Sequence, residues 1–139
     1  MSRYIKTMAA AVIIILTCSV VKAQQVDNNK TNISAEALKN LKAAILSDNE
    51  GVMKSGVAYA GLYKVEAVVD ELAERFDKEK ELSNKELIAH TLCKIGTQKA
   101  YSALKDLAQN VKNANLRYLC DSLADNVLER NGNSFTNNK

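Results

Sequence analysis

The chain has 139 residues, enough for one small domain, and carries a formal net charge of +3. Its composition, 47% hydrophobic and 25% charged, excludes a disordered acidic tail, a collagen and a disulfide-dense mini-protein. The chain contains no proline and five glycines, which is compatible with a protein built from helices throughout. We therefore expect a single helical domain.

Residues 1–23 have the pattern of a secretory signal peptide. Two basic residues precede an apolar run of 14 residues at 8–21, and Ala23 offers a small residue before a polar stretch. The run is shorter than the roughly 20 residues of a membrane-spanning helix. Cleavage after Ala23 is the prediction, and the alternatives are a retained membrane anchor and lipidation at Cys18.

Removal of this segment changes the charge of the protein. The segment holds three of the 19 basic residues, Arg3, Lys6 and Lys22, and no acidic residue. The remaining 16 basic and 16 acidic residues cancel, so nucleic-acid binding loses the positive surface that it depends on. The sequence thus predicts an exported protein, periplasmic or extracellular, with no membrane insertion after cleavage.

Helical periodicity extends over residues 34–130. Residues 24–33 before it predict a flexible polar linker, and residues 131–139 after it predict a disordered tail. The apolar residues between them recur at helical spacing in six segments, at 34–46, 49–60, 65–78, 84–95, 98–111 and 114–129. The connections are short, which favours antiparallel packing of consecutive helices.

The second and fourth helices carry local boundary signals. Sequences of the capping-box type begin at Ser47 and Ser83, each with a glutamate three residues later, and predict an N-cap serine. Gly61 and Gly96 predict the left-handed residue at which a helix ends.

The apolar pattern also repeats along the chain. At a spacing of 35 residues Val52 corresponds to Leu87 and Gly61 to Gly96. A weaker third copy follows at a shorter spacing and starts at Leu116, so that Arg117 corresponds to Met53 and to Ile88. A helix-pair repeat of this length predicts a solenoid, because each pair buries its apolar face only by stacking on its neighbour.

The stretches SDNEGVMKSGVAYAG at 47–61 and VEAVVDEL at 65–72 resemble consecutive helices of a HEAT-type repeat in its short bacterial form. The resemblance covers residues 34–130 and departs from the family pattern at Met53 and Ile88, where arginine is common. It implies an all-α fold, a short right-handed α-solenoid of about three antiparallel helix pairs. HEAT-like arrays generally act as scaffolds, so the resemblance implies a non-enzymatic module that binds a protein partner in the cell envelope.

In such solenoids the second helix of each pair usually lines the concave face. Exposed positions on the second, fourth and sixth helices are therefore the predicted protein-binding residues. They are Lys54, Tyr59, His90, Lys94, Arg117 and Tyr118, with Glu86 and Asp121 beside them. Tyrosine and arginine are enriched at protein interfaces. A homodimer is the alternative to a different partner.

His90, Cys93 and Cys120 are the residues that offer an alternative chemistry. His90 and Cys93 lie one helical turn apart, and Cys120 lies in a helix predicted to stack beside theirs. One imidazole and two thiolates suit a soft metal, so the alternative function is a small periplasmic ligand- or metal-binding protein. In an oxidising compartment the two cysteines form either a disulfide or two buried thiols.

Catalytic motifs are missing from the sequence. It contains no Gly-x-Ser-x-Gly elbow, phosphate-binding loop, His-Glu-x-x-His motif or dinucleotide fingerprint. It has a single histidine, His90. The acidic residues at 70–81 alternate with basic ones and predict solvated helix faces. We therefore expect no enzymatic activity and no cofactor.

Overall fold

The computed structural model describes residues 33–132. They form six α-helices: α1 (Ala35–Ile45), α2 (Glu50–Leu62), α3 (Val69–Lys78), α4 (Leu82–Ile95), α5 (Gln98–Asn110) and α6 (Ala114–Arg130). A short 3-10 helix, Glu66–Val68, precedes α3, and no strand occurs within residues 33–132. The prediction of an all-α protein is confirmed, and each of the six predicted segments corresponds to one helix.

The termini that the sequence predicted as a signal peptide, a linker and a tail lie almost entirely outside the described residues. The apolar run at 8–21 and Cys18 belong to this part of the chain. Within residues 33–132, no helix has both the length and the apolar composition needed to cross a membrane.

The helices contact one another in a regular order. Among consecutive helices, α1 packs on α2, α3 on α4, α4 on α5 and α5 on α6. α2 also contacts α4, which contacts α6, while α1 contacts α3, which contacts α5. The even-numbered helices thus form one row of neighbours and the odd-numbered helices a second row.

One cluster of apolar side chains joins the described helices. Its largest fully buried members include Ile45, Met53, Leu72, Phe76, Ile88, Leu92, Leu104 and Leu116, which come from all six helices. These residues belong to the apolar stripes of the helices. A helix in which apolar residues recur every three or four positions has one apolar side, and it buries that side. The core therefore follows from the helical periodicity.

The repeat register of α6 differs from the prediction. Met53 of α2 and Ile88 of α4 are both fully buried, but Arg117 is exposed. Cys120, three residues later, takes the buried position instead. The buried position falls on the small thiol of Cys120 and not on Arg117, because a guanidinium is costly to bury without a partner.

The start of α2 differs from the predicted capping box. Asn49 is the N-cap, and its side chain accepts a hydrogen bond from the backbone N–H of Val52 at 3.1 Å. Ser47 lies before the helix and accepts from the N–H of Asn49 at 3.1 Å. The prediction of Ser47 as N-cap is wrong because asparagine caps a helix as well as serine does.

The start of α4 differs from the prediction as well, and this helix begins earlier than predicted. One carboxylate oxygen of Glu79 accepts hydrogen bonds from the backbone N–H groups of Lys80 and Glu81, at 2.8 and 3.1 Å. The chain turns around this carboxylate and the helix begins at Leu82, so that Ser83 lies inside it. The prediction of Ser83 as N-cap is therefore wrong.

The two glycines at helix ends behave differently. Gly96 ends α4 with a φ of 69°, as predicted. Gly61 lies inside α2, which continues to Leu62, and the left-handed residue after this helix is Lys64, with a φ of 49°. A Cβ on Gly61 would lie 3.2 Å from Cγ2 of Thr91, so this glycine serves the close contact between α2 and α4.

We expect Gly96→Ala to lower the free energy of unfolding by about 1 kcal/mol, because a Cβ disfavours the left-handed conformation. Urea denaturation monitored by circular dichroism measures the change. The matched control is Gly51→Ala in the first turn of α2, where a Cβ would meet its nearest neighbouring atom at an ordinary 3.4 Å. This control should be neutral or stabilising, and an equal loss in both variants would contradict the prediction.

Candidate protein-binding surfaces

All six predicted binding residues are exposed. Lys54 and Tyr59 lie on α2, His90 and Lys94 on α4, and Arg117 and Tyr118 on α6. Tyr118 is the most exposed large hydrophobic residue of the described chain, at 77%. The three helices belong to one row, but the six side chains lie in different surroundings.

Lys54 lies near the junction of α2 and α4. Its Nζ is 2.7 Å from the carboxylate of Glu50, one turn earlier on the same helix. Asn84 of α4 donates from its Nδ2 to the same carboxylate at 3.4 Å. Hydrogen bonds from Lys54 and Asn84 lower the pKa of Glu50. Lys54 is thus engaged with its own helix, and Glu50 connects that helix to α4.

His90 and Lys94 share one exposed side of α4. They lie one turn apart, and Glu86 precedes His90 by one turn on the same side. We call Glu86, His90 and Lys94 the α4 row. The aliphatic part of Lys94 lies near α2, since a Cβ on Gly61 would be 3.6 Å from its Cδ. The row therefore presents both signs of charge and an imidazole to the solvent.

Arg117 faces the neighbouring helix rather than the α4 row. Its Nη2 donates to the backbone carbonyl of Val111, directly after α5, at 3.1 Å. Asp121, one turn later on α6, pairs with Lys105 of α5 at 2.9 Å. Arg117 and Asp121 therefore connect α6 to α5, and Tyr118 is the residue of this group that points most freely into solvent.

Cys93 and Cys120 are free thiols in the structure. Cys120 is fully buried, and burial raises the pKa of its thiol to about 11, so it stays protonated at neutral pH. Cys93 is half-buried, and Nη2 of Arg130 donates to its carbonyl oxygen and to its Sγ, the latter at 3.2 Å. Arg130 thereby connects the end of α6 to the end of α4.

His90, Cys93 and Cys120 do not form a metal centre in this geometry. Residues 33–132 contain no group of three or more His, Cys, Asp or Glu side chains placed to hold a metal ion. Ionisation of Cys120 to a thiolate would also be energetically unfavourable, because burial favours the neutral thiol. The alternative metal-binding function therefore finds no support in the arrangement of these residues.

A groove between α1 and α2 is the surface that the sequence did not predict. Its volume is about 640 Å³, and none of its eleven lining residues is charged. Leu41 and Ala44 of α1 and Val52, Ser55, Gly56 and Tyr59 of α2 are among them. We call this surface the end groove.

The end groove exposes apolar side chains to solvent. Val52 and Tyr59 remain 45% and 43% exposed, and the ring centroid of Tyr59 lies 4.4 Å from that of Tyr63. The seven-residue spacing of Val52 and Tyr59 places them on one side of α2 and is the signal that could have indicated the groove. Tyr59, predicted as part of a concave face, lines this groove instead.

The chain matches no protein-family model, no curated protein and no solved structure. The resemblance to HEAT-type repeats therefore stays a prediction, and the function is inferred from the molecule's own surfaces.

Proposed function

We propose that the protein is an exported, non-enzymatic helical-repeat module that binds another protein in the cell envelope. The observation that carries the proposal is the order of helix contacts, in which even-numbered helices contact in succession and odd-numbered helices do the same. Such an order is what a short right-handed α-solenoid of HEAT-like helix pairs requires, because each pair stacks on the next.

The burial pattern supports this stacking. Equivalent positions of α2, α4 and α6 recur at spacings of 35 and then 32 residues. Two such sets, Met53–Ile88–Cys120 and Val57–Leu92–Ala124, are fully buried. Corresponding residues in successive pairs thus have corresponding environments, as expected of a repeat array.

Export is the part of the proposal that rests on residues 1–23. Their basic start, apolar run and small residue at Ala23 are typical of a secretory signal. A periplasmic or extracellular location follows from this segment, and the neutral net charge of the remaining chain favours a protein over a nucleic acid as partner.

The binding surface that we propose combines the α4 row with Tyr118. At the 32-residue spacing Tyr118 corresponds to Glu86, so it extends the row from α4 onto α6. An exposed tyrosine beside charged residues is the composition from which interface hot spots are drawn. Lys54 and Arg117 are left out of this surface because each already bonds to another residue of the chain, and Tyr59 is left out because it lines the end groove.

The test is capture of a partner from envelope extract by the tagged, exported protein. The variant Lys94→Glu with Tyr118→Ala is expected to reduce capture at least tenfold, since truncation of an interface hot spot typically costs about 2 kcal/mol or more. Both residues are exposed, so the variant should keep its circular dichroism spectrum. Arg117 is left unchanged because it holds the end of α5.

The matched control is Lys39→Glu, an exposed position on α1 in the other row of helices, which should leave capture unchanged. Equal capture by the wild type and by Lys94→Glu with Tyr118→Ala would move the binding site away from α4 and α6. Failure of the wild-type protein to capture any specific partner would contradict the proposed function itself.

A further inference from the structure

We propose that the end groove is a self-association surface, on which a second copy of the chain docks through the same face to give a two-fold symmetric dimer. The groove lies between α1 and α2, apart from the α4 row and Tyr118. The proposal therefore does not depend on the proposed binding function.

The end groove resembles one half of a contact between two stacked helix pairs, without the second pair. At the 35-residue spacing Val52 of α2 corresponds to Leu87 of α4. Leu87 packs against the core, and Thr91, one turn later, is 3% exposed and faces Gly61 of α2. No helix of the described chain lies on the corresponding side of α2, so Val52 is 45% exposed.

The chemistry of the groove restricts what can occupy it. Since none of its eleven lining residues is charged, an unpaired charge placed in it would lose its hydration without gaining a partner. The occupant must therefore present an uncharged, largely apolar face. The exposed apolar side chains of the groove, Val52 and Tyr59, are the ones that such an occupant would cover.

The lining of the end groove itself satisfies this requirement, whereas two other surfaces of the described chain do not. At the opposite end of the chain, Lys105 of α5 pairs with Asp121 and, at 3.9 Å, with Asp125 of α6. A smaller groove of about 280 Å³ between α3 and α5 is lined by acidic residues and by Lys99, which pairs with Asp70. Both of these surfaces are charged and do not match the end groove.

The distribution of charge also decides the mode of assembly. A head-to-tail stack would place the ion-paired end of one copy, with Lys105 and Asp121, against the neutral groove of the next. Two end grooves that meet across a two-fold axis bury no charge from their linings and form a closed dimer. The absence of charged residues from the groove lining thus favours the symmetric arrangement over an open filament.

The shape of the face suits this symmetric contact. Tyr59 and Tyr63 stand side by side on α2 and form an aromatic ridge next to the groove. A two-fold axis allows the ridge of each copy to enter the groove of the other, where Leu41 lies at the base with 7% exposure. Exposed tyrosine rings thereby become buried anchors of the contact.

The experiment measures the molar mass of the protein by sedimentation equilibrium as a function of concentration. The full chain is expressed in an export-competent bacterium, recovered from the envelope fraction, and its N-terminus is identified by mass spectrometry. The wild type is expected to approach the dimer mass and no higher mass. Val52→Glu is expected to weaken dimerisation at least tenfold, because its carboxylate would be buried in the contact.

Leu82→Glu is the matched control, since Leu82 on α4 is 44% exposed and lies outside the groove. It should dimerise as the wild type does, and Ser55→Glu, inside the groove, should behave like Val52→Glu. A monomeric wild type, undiminished dimerisation of Val52→Glu, or an equal loss in Leu82→Glu would each overturn the proposal. Masses that keep increasing beyond the dimer would instead indicate a head-to-tail stack and would also overturn it.

Discussion

Phe76→Ala is expected to lower the free energy of unfolding by about 3–5 kcal/mol, a large share of the total stability of a small domain. Phe76 is 1% exposed and is the largest of the fully buried side chains in the described chain. Its removal leaves a cavity among residues held by several helices, which cannot collapse fully. Nζ of Lys85 on α4 also loses the ring, whose centroid lies 4.6 Å away.

Urea denaturation of the wild type and two comparison variants measures this effect. Phe76→Leu keeps most of the buried volume and should cost less than half as much as Phe76→Ala. Tyr118→Ala removes an aromatic ring that is 77% exposed and should change stability by less than about 0.5 kcal/mol. A loss in Phe76→Ala no larger than that in Tyr118→Ala would contradict the packing described for α3.

Arg75→Met is expected to produce the second-largest loss, about 3 kcal/mol. Nη1 of Arg75 donates to the carbonyl of Ser47 between α1 and α2 at 3.0 Å, and its Nη2 donates to the carboxylate of Glu79 at 2.9 Å. The two side chains of the ion pair are only 14% and 7% exposed. Loss of the guanidinium leaves a largely buried carboxylate without its charged partner, which is the costly way to break such a pair.

The control for this prediction is the double variant Arg75→Met with Glu79→Gln. It removes both charges, so no unpaired carboxylate remains, and it should be more stable than Arg75→Met alone. Chemical denaturation of the two single variants and the double variant completes the cycle and yields the coupling energy. Equal stability of Arg75→Met and the double variant would show that the ion pair itself contributes nothing.

The same pair predicts a dependence on pH. Burial alone would raise the pKa of Glu79, but hydrogen bonds from the N–H of Glu81, the Arg75 guanidinium and the N–H of Lys80 outweigh it and bring the pKa below 4.5. Because the folded-state pKa is lowered, this stabilisation is present above about pH 4.5 and is lost as the pH falls through the folded-state value.

We therefore expect the stability difference between the wild type and Arg75→Met to shrink when the pH is lowered from neutral into the acid range. Urea denaturation at neutral pH and at about pH 3 measures both differences, and contributions from other carboxylates that are equal in the two proteins cancel. A difference that stays constant over this range would show that Arg75 acts through its bond to Ser47 and not through Glu79.

The helices were predictable because their cause is local. An apolar residue every three or four positions, such as Leu72 and Phe76, gives a helix one apolar side that must be buried. Short connections then make consecutive helices pack against each other. Helix ends were less predictable, since Ser47 and Asn49 are equivalent caps two residues apart. At α4 the carboxylate of Glu79, engaged with Arg75, organises the turn that precedes the helix.

The exposure of the candidate binding residues was also predictable, but their grouping was not. His90 and Lys94 share a side because one turn of the same helix separates them. Arg117 bonds to Val111 after α5, and Tyr59 lines the end groove, and both depend on where a neighbouring helix lies. Solvent exposure follows from the periodicity of one helix, whereas membership of one surface requires the arrangement of several.

The sequence by itself determined that this protein is all-α, with six helices whose apolar stripes form the core. Only the tertiary structure decided which apolar side chains remain at the surface. Val52 and Leu87 are equivalent in the repeat, yet Leu87 packs against the core and Val52 stays exposed in the end groove. The difference arises because α2 lies beside α4 while no described helix lies on the corresponding side of α2, and such a relation between helices is absent from the local pattern of apolar residues.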